Sequence, residues 1–462
     1  MRKWLPFLVA VLLLSVSLGA CGGGEKSTSG AKTSGTGPST GPVSIDFWNA
    51  EAGANHDTLK SLVDRFNASQ DQVKVQAFFQ GTYEDLATKL VASFPTGDVP
   101  AMAFLGPDAF TQMMIDSGRV TPAQDFVDQE GYDLSALGPR AVQSFTSAGK
   151  LWAMPFAMDI VLLYYNKVAF REVGLDPEKP PQDLEELREY SEKLLQRDSN
   201  GNVTRSGIAI DIHAWPERML VEHGDLLVDQ SNGHDGRATK ALFDNDTTSW
   251  FFQWWHDMVD EGLAFNVGRN VTGVDGFAAV LSGRAAMTFS QSAALRSVLD
   301  VVEAGGLKGV EVGVGRLPGV PGSTGPTGSA AFGLWVFNQR PREEQDAAWK
   351  FIKWLLEPEQ QAQWFAGTGY LPVSRAAVDL PAARDVVVKY PLFQVALDLY
   401  MNSPTTPAAL GALLGPFWQV REALNTGVEA MLAGTKDPDQ ALKDAAEESN
   451  RIIADYNQRV GG

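Results

Sequence analysis

The 462-residue chain holds a single cysteine, Cys21, so no disulfide can form within it and its folded body must be held by a core. Histidine is nearly as scarce. His56, His213, His223, His234 and His256 show no metal-ligand spacing with cysteine or carboxylates, so no metal centre is expected. No H-E-x-x-H occurs, and no G-x-S-x-G elbow sits at a strand-to-helix turn, which removes the common hydrolase signatures. Cations are outnumbered, 38 Lys and Arg against 56 Asp and Glu. The net charge of −18 argues against nucleic acid and against adhesion to anionic lipid. Beyond the N-terminus no apolar run approaches the ~18 residues a spanning helix requires.

What is present begins with Arg2 and Lys3, an apolar run over 4–14, and then Leu18, Gly19, Ala20 and Cys21. This is the layout of a secretory signal peptide, too short to remain as a spanning helix. The cysteine after small residues resembles the bacterial lipoprotein box, which implies that 1–20 is removed and Cys21 is acylated. Residues 22–42 are mostly Gly, Ser, Thr and Pro with no large apolar side chain, a flexible coil with a mean reach of about 25 Å. The folded part is thus expected outside the cytoplasmic membrane, on its outer face, held by a lipid tether.

From Val43 onward apolar spacing alternates between periods. Residues 43–48 read as a strand, and 57–68 as a helix through Leu59, Leu62, Val63 and Phe66. Val73, Val75, Ala77 and Phe79 alternate as a strand, 83–94 returns to helix, and 101–105 is a short strand. Such a β-α-β-α-β start predicts a parallel sheet covered by helices, with ligand beyond the strand ends near 48–50, 80–83 and 106–108. Further strands are expected at 151–155, 160–165, 206–211, 285–289, 311–316 and 333–337. A helix over 247–261 carries Trp250, Phe251, Trp254, Trp255 and Met258 at core spacing, and the chain from Arg342 onward is nearly all helical.

Four segments carry a family resemblance: FFQGTYEDL around 79–86, PFAMDIVLLYYNKVAFREVGLDPEKPPQDLEEL at 155–187, GRAAMTFSQSAAL at 283–295, and EPEQQAQWFAGTGYLPVSRAA at 357–377. In this order they resemble family 1 extracellular solute-binding proteins, the capture subunits of ATP-binding-cassette sugar importers. Within that family the pattern is nearest the glycerol-3-phosphate/glycerophosphodiester-binding subfamily. The resemblance implies an α/β, two-lobed periplasmic-binding-protein-like fold of type II, its discontinuous lobes joined by three hinge crossings. These are expected near 153–158, 285–290 and 337–341, giving an N-lobe of 43–153 plus 289–337 and a C-lobe of 158–285 plus 341–462. It implies a binding protein and not an enzyme: a monomer without a cofactor that takes a small carbohydrate and meets permease subunits.

Carried over by position, Tyr83, Trp215, Tyr370 and Arg421 match binding residues of the glycerophosphate subfamily. Aromatic faces suit the C–H faces of a sugar ring, and a guanidinium fork suits paired oxygens. Asp159 stands where those relatives have serine, and Ile212 where they have a second tryptophan. Ala331 replaces a glycine, and the acidic residue near Pro107 falls at Asp108. A carboxylate beside a phosphate dianion is repulsive in a partly dry cleft. Asp159 therefore points to a neutral sugar or polyol, with a glycerophosphocholine-like diester or glycerol 3-phosphate as the alternative. Ser290, Gln291 and Ser292 add hydroxyl and amide partners. An exported glycan hydrolase using Asp108, Asp159 and Asp211 as acid and base is the reading from another class. A lipoprotein that feeds a sensor is a third.

Overall fold

The computed structural model describes residues 41–269, 275–305, 309–323 and 328–461, less the side chains of residues 108 and 329. The expected signal segment, Cys21 and the linker through residue 40 lie outside the described residues. Strand β1 (Val43–Asn49) pairs in parallel with β2 (Val73–Phe79) and with β3 (Met102–Leu105), as the opening alternation predicts. Helix α1 (Gly53–Ser69) buries Leu59, Leu62, Val63 and Phe66, the four residues its spacing singles out. Helix α2 (Tyr83–Ser93) opens on a reciprocal cap. The Thr82 hydroxyl accepts from the Asp85 N–H at 3.1 Å, and the Asp85 carboxylate accepts from the Thr82 N–H at 3.0 Å. The cap fixes Tyr83 as the first residue of the helix.

The strands expected at 151–155 and 160–165 are one strand, Met154–Asn166, buried along its whole length. This central strand pairs antiparallel with Ser329–Phe337 near its start and with Ala285–Gln291 near its end. The continuous path of the sheet runs Ala264–Arg269, Val203–Ile212, Ala285–Gln291, the central strand, Ser329–Phe337, β3, β1 and β2. A strand buried on both faces reads as an unbroken apolar run, which is why its middle had no visible period.

Two hydrophobic cores lie along this sheet and make the protein two-lobed. One gathers Ile45, Phe47, Phe104, Trp335 and Phe351 around β1–β3; the other gathers Ile208, Ile210, Phe251, Trp255 and Leu424. Their membership departs from the expected division of the C-terminal part. Helices Arg342–Leu355, Pro358–Thr368 and Leu392–Asn402 pack into the first core and not the second. Phe351 meets the Phe47 ring at 5.8 Å and the Phe66 ring at 4.8 Å, so the apolar stripe of its helix is spent on β1 and α1. The last helices, Phe417–Leu432 and Pro438–Val460, join the second core. Helical period shows which face is buried but not against which sheet.

Candidate functional site

A cleft of about 670 Å³ opens between the two cores, and Tyr83, Trp215, Ser290, Gln291, Tyr370 and Arg421 all line it. Pro107, Asp211, His213, Arg218, Phe289, Phe332 and Trp418 complete the part that carries chemistry. Of the expected wall of strand ends, Tyr83 and Pro107 reach the cleft. The Asp108 side chain lies outside the described residues.

On the side of the first core, Tyr83 and Tyr370 flank the Phe332 ring, with centroids 5.4 Å and 4.9 Å away. A side chain on Gly106 would put its Cβ 2.1 Å from that ring, so a residue with no side chain is what lets Phe332 slot between the phenols. The Tyr83 hydroxyl donates to Oε1 of Glu51 and also contacts the Tyr370 hydroxyl. Burial pushes both phenols well above the ordinary tyrosine range, and Glu51 adds to the shift. Glu51 is itself buried, which moves its carboxyl upward while the Tyr83 and Asn55 hydrogen bonds pull the other way.

Asp159 does not line the cleft. It is buried in the central strand, where Oδ1 accepts from the Ser292 hydroxyl at 2.6 Å and from the Ala293 N–H at 3.1 Å. Oδ2 has no hydrogen-bond partner among the described residues, and burial pushes the carboxyl up to about 6. Half of the expected hydroxyl-accepting capacity is therefore spent on holding the Ser292 loop to the central strand. The physical reason is register: Asp159 lies opposite Ala330, in the middle of the sheet.

The side of the second core is built on helix Trp215–His223. The Trp215 indole N–H donates to Oδ1 of Asp211 at 2.7 Å, and the ring meets Phe289 edge-on at 5.3 Å. Arg421 borders the cleft, yet the fork expected to hold ligand is already occupied. Its Nε and Nη2 donate to the two carboxylate oxygens of Glu217 at 2.9 Å and 2.7 Å. A buried carboxylate requires a buried counter-charge, and the planar guanidinium supplies it in bidentate form. The Phe417 and Trp418 rings, set edge to face, both approach the same group, at 4.7 Å and 4.8 Å. His213 is held down to about 4, first by burial and then by Arg421, so its imidazole is neutral at pH 7.

Sequence reasoning missed Glu51, Glu217, Arg218 and Trp418. Arg218 lies three residues after Trp215, one turn along the same helix, and that spacing was the available signal. Glu51 directly follows an expected cleft segment at the end of β1, but nothing local pairs it with a tyrosine 32 residues away.

Compared with known families, residues 61–394 match the family described as bacterial extracellular solute-binding protein. The chain belongs to that family. This solute-binding protein is 29% identical over 423 residues to the sn-glycerol-3-phosphate-binding periplasmic protein UgpB of Pectobacterium atrosepticum, covering 90% of this chain and 92% of that one. To UgpB of Escherichia coli strain K12 it is 28% identical over 425 residues, covering 90% and 94%. Among solved structures it resembles UgpB from Mycobacterium tuberculosis in complex with glycerophosphocholine. That match has a TM-score of 0.73 and 21% identity, covering 91% of this chain and 100% of the other. The cyclic alpha-maltosyl-1,6-maltose binding protein from Arthrobacter globiformis gives a TM-score of 0.71 at 23% identity, covering 90% and 100%. These likenesses show the two-lobed binding-protein fold. Among the described residues, no helix is long and apolar enough to cross a membrane.

Proposed function

We propose that this solute-binding protein captures an uncharged, hydroxyl-rich small molecule, a sugar or polyol, outside the cytoplasmic membrane and passes it to the permease of an ATP-binding-cassette importer. The two lobes close around the ligand at the strands that join the cores, and Cys21 carries the lipid that keeps the monomer at the membrane. The observation that carries this reading is the composition of the cleft. Tyr83, Trp215 and Tyr370 offer aromatic surface for ring C–H faces, while Asp211, Ser290 and Gln291 offer acceptors and donors for hydroxyls. Binding protein, not hydrolase, also agrees with the relatives' printed names.

A second reading has its own support. Relatives named for sn-glycerol 3-phosphate, and a solved relative holding glycerophosphocholine, favour a glycerophosphodiester, and Arg218 is a cation on the cleft wall. Against it stand the fork of Arg421, committed to Glu217, and the buried carboxylates of Glu51 and Asp159 behind the opposite wall. Calorimetry on the mature chain with maltose, mannobiose, glycerophosphocholine and sn-glycerol 3-phosphate separates the readings. We expect a neutral saccharide to bind with micromolar affinity, about −8 kcal/mol. Tighter binding of either phosphate compound overturns that choice, and a cleaved saccharide overturns the binding role itself. Mass spectrometry of membrane fractions for an acylated Cys21 tests the tether.

A further inference from the structure

The central strand Met154–Asn166 changes all its partners part-way along. Up to Ile160 it pairs with Ser329–Phe337 and Leu371–Pro372; from Val161 onward it pairs with Ala285–Gln291 and Val312–Arg316. Among the described residues no partner strand spans the change, so the sheet has a seam there. The seam divides the lining of the cleft as well. Tyr370 immediately precedes Leu371–Pro372, whereas Ser290 and Gln291 close Ala285–Gln291, and all three line the cleft. Ser292 bridges the seam. Its N–H donates to the Ile160 carbonyl at 2.7 Å, and its hydroxyl accepts from the Ile160 N–H at 3.2 Å. The hydroxyl proton goes to Oδ1 of Asp159 at 2.6 Å, and the same oxygen accepts from the Ala293 N–H at 3.1 Å. A hydroxyl owns one proton. That of Ser292 is spent inside the sheet, and the residue is wholly buried, so it is not the hydroxyl partner for ligand that its place in the sequence suggests.

We propose that Asp159 and Ser292 are positioning residues for ligand binding: their clasp closes the seam of the central strand and fixes Ser290 and Gln291 relative to Tyr370, although the ligand touches neither. The inference rests on the cleft being the ligand site. Cutting the clasp releases the end of Ala285–Gln291 from the first half of the central strand, and the cleft residues on the two sides of the seam lose their common frame. The loss of one aligned hydrogen bond to ligand is worth about tenfold in affinity. What the clasp needs from Asp159 is an acceptor oxygen, not a charge. An amide in its place keeps that oxygen and, with it, the hydrogen bonds from Ser292 and Ala293.

The test uses the mature chain with Ser292→Ala, Asp159→Ala and Asp159→Asn. The probe is whichever of maltose, mannobiose, glycerophosphocholine and sn-glycerol 3-phosphate binds the wild type most tightly. Calorimetry should show affinity about tenfold weaker in both alanine variants and restored to within about threefold of the wild type in Asp159→Asn. An affinity unchanged within about twofold in Ser292→Ala reduces the clasp to a structural role and overturns the proposal. Asp159→Asn as weak as the alanine variants also overturns it, because the charge would then be meeting the ligand. Should Asp159→Ala not fold, Ser292→Ala is the reference for the rescue. Ligand-free protein gives a second reading. Spin labels on Val388→Cys, beside the first core, and Glu447→Cys, on the last helix of the second, with Cys21→Ser, report the distance between the lobes by double electron–electron resonance. The distribution should broaden in Ser292→Ala and match the wild type in Asp159→Asn; one unchanged in Ser292→Ala overturns the proposal. If none of the four compounds binds the wild type, the reading of function fails, and the distance distributions alone decide the clasp.

Discussion

The two walls of the cleft handle buried charge in opposite ways. On the second-core wall, Glu217 and Arg421 neutralise one another through two hydrogen bonds, and aromatic faces cover the guanidinium. On the first-core wall, Glu51 and Asp159 are buried carboxylates without a salt bridge among the described residues, held by phenol, amide, hydroxyl and backbone donors. The first arrangement is rigid and internally satisfied. The second leaves Oδ2 of Asp159 without a hydrogen-bond partner among the described residues and both carboxyls shifted upward, behind the cleft wall.

The comparison breaks most severely at Glu217. Glu217→Leu strands a buried guanidinium, and thermal or urea unfolding should show a loss of about 3–5 kcal/mol. A loss below 1 kcal/mol would mean that water reaches Arg421 and that this wall is not self-satisfied. Trp215 comes next. Its ring is 4% exposed and belongs to the second core, so Trp215→Ala should cost about 3 kcal/mol of stability as well as ligand affinity. The pairing with Asp211 is isolated more gently by Trp215→Phe, for which roughly 1 kcal/mol in calorimetric affinity is expected. An unchanged affinity in both variants would place Trp215 outside the contact set.

Asp159 sharpens the contrast through pH. Its folded carboxyl is pushed up to about 6 from an ordinary value of 3.8, so the folded state holds the proton more tightly than the unfolded one. That contribution is fully present below about pH 4 and is lost as pH rises through 6. Asp159→Asn removes the titration. The variant should be more stable than the wild type at pH 7, by about 2 kcal/mol, and should lose that advantage by pH 4. Parallel unfolding curves at the two pH values, with no change in the difference, would contradict the assignment. The smallest effect belongs to the cap under Tyr83: Thr82→Ala should cost about 1 kcal/mol in thermal unfolding, and no loss would show that Tyr83 is placed by its ring contacts alone.

Much of the fold was legible locally. The period of Leu59, Leu62, Val63 and Phe66 and the alternation of Val73 and Val75 reappear as buried faces, and the β-α-β-α-β start is a parallel sheet. Tyr83, Ser290, Gln291 and Tyr370 lie on segments that carry the family resemblance and reach the cleft, and Trp215 reaches it from outside those segments. Arg421 reaches it too, with its fork already closed on Glu217. What could not be read was partnership. Glu217 and Arg421 are 204 residues apart, and Asp159 meets Ser292 across 133.

The order of strands and helices, the apolar faces and the family were therefore determined by the sequence itself, because periodicity and motif spacing act over a few residues of chain. The tertiary structure alone decided which core receives the helices after Arg342, that the fork of Arg421 is closed on a carboxylate, and that the Tyr83 phenol meets Glu51. Each of those outcomes is set when distant segments share one dry volume, where every buried polar atom must find its partner from whatever the fold brings near.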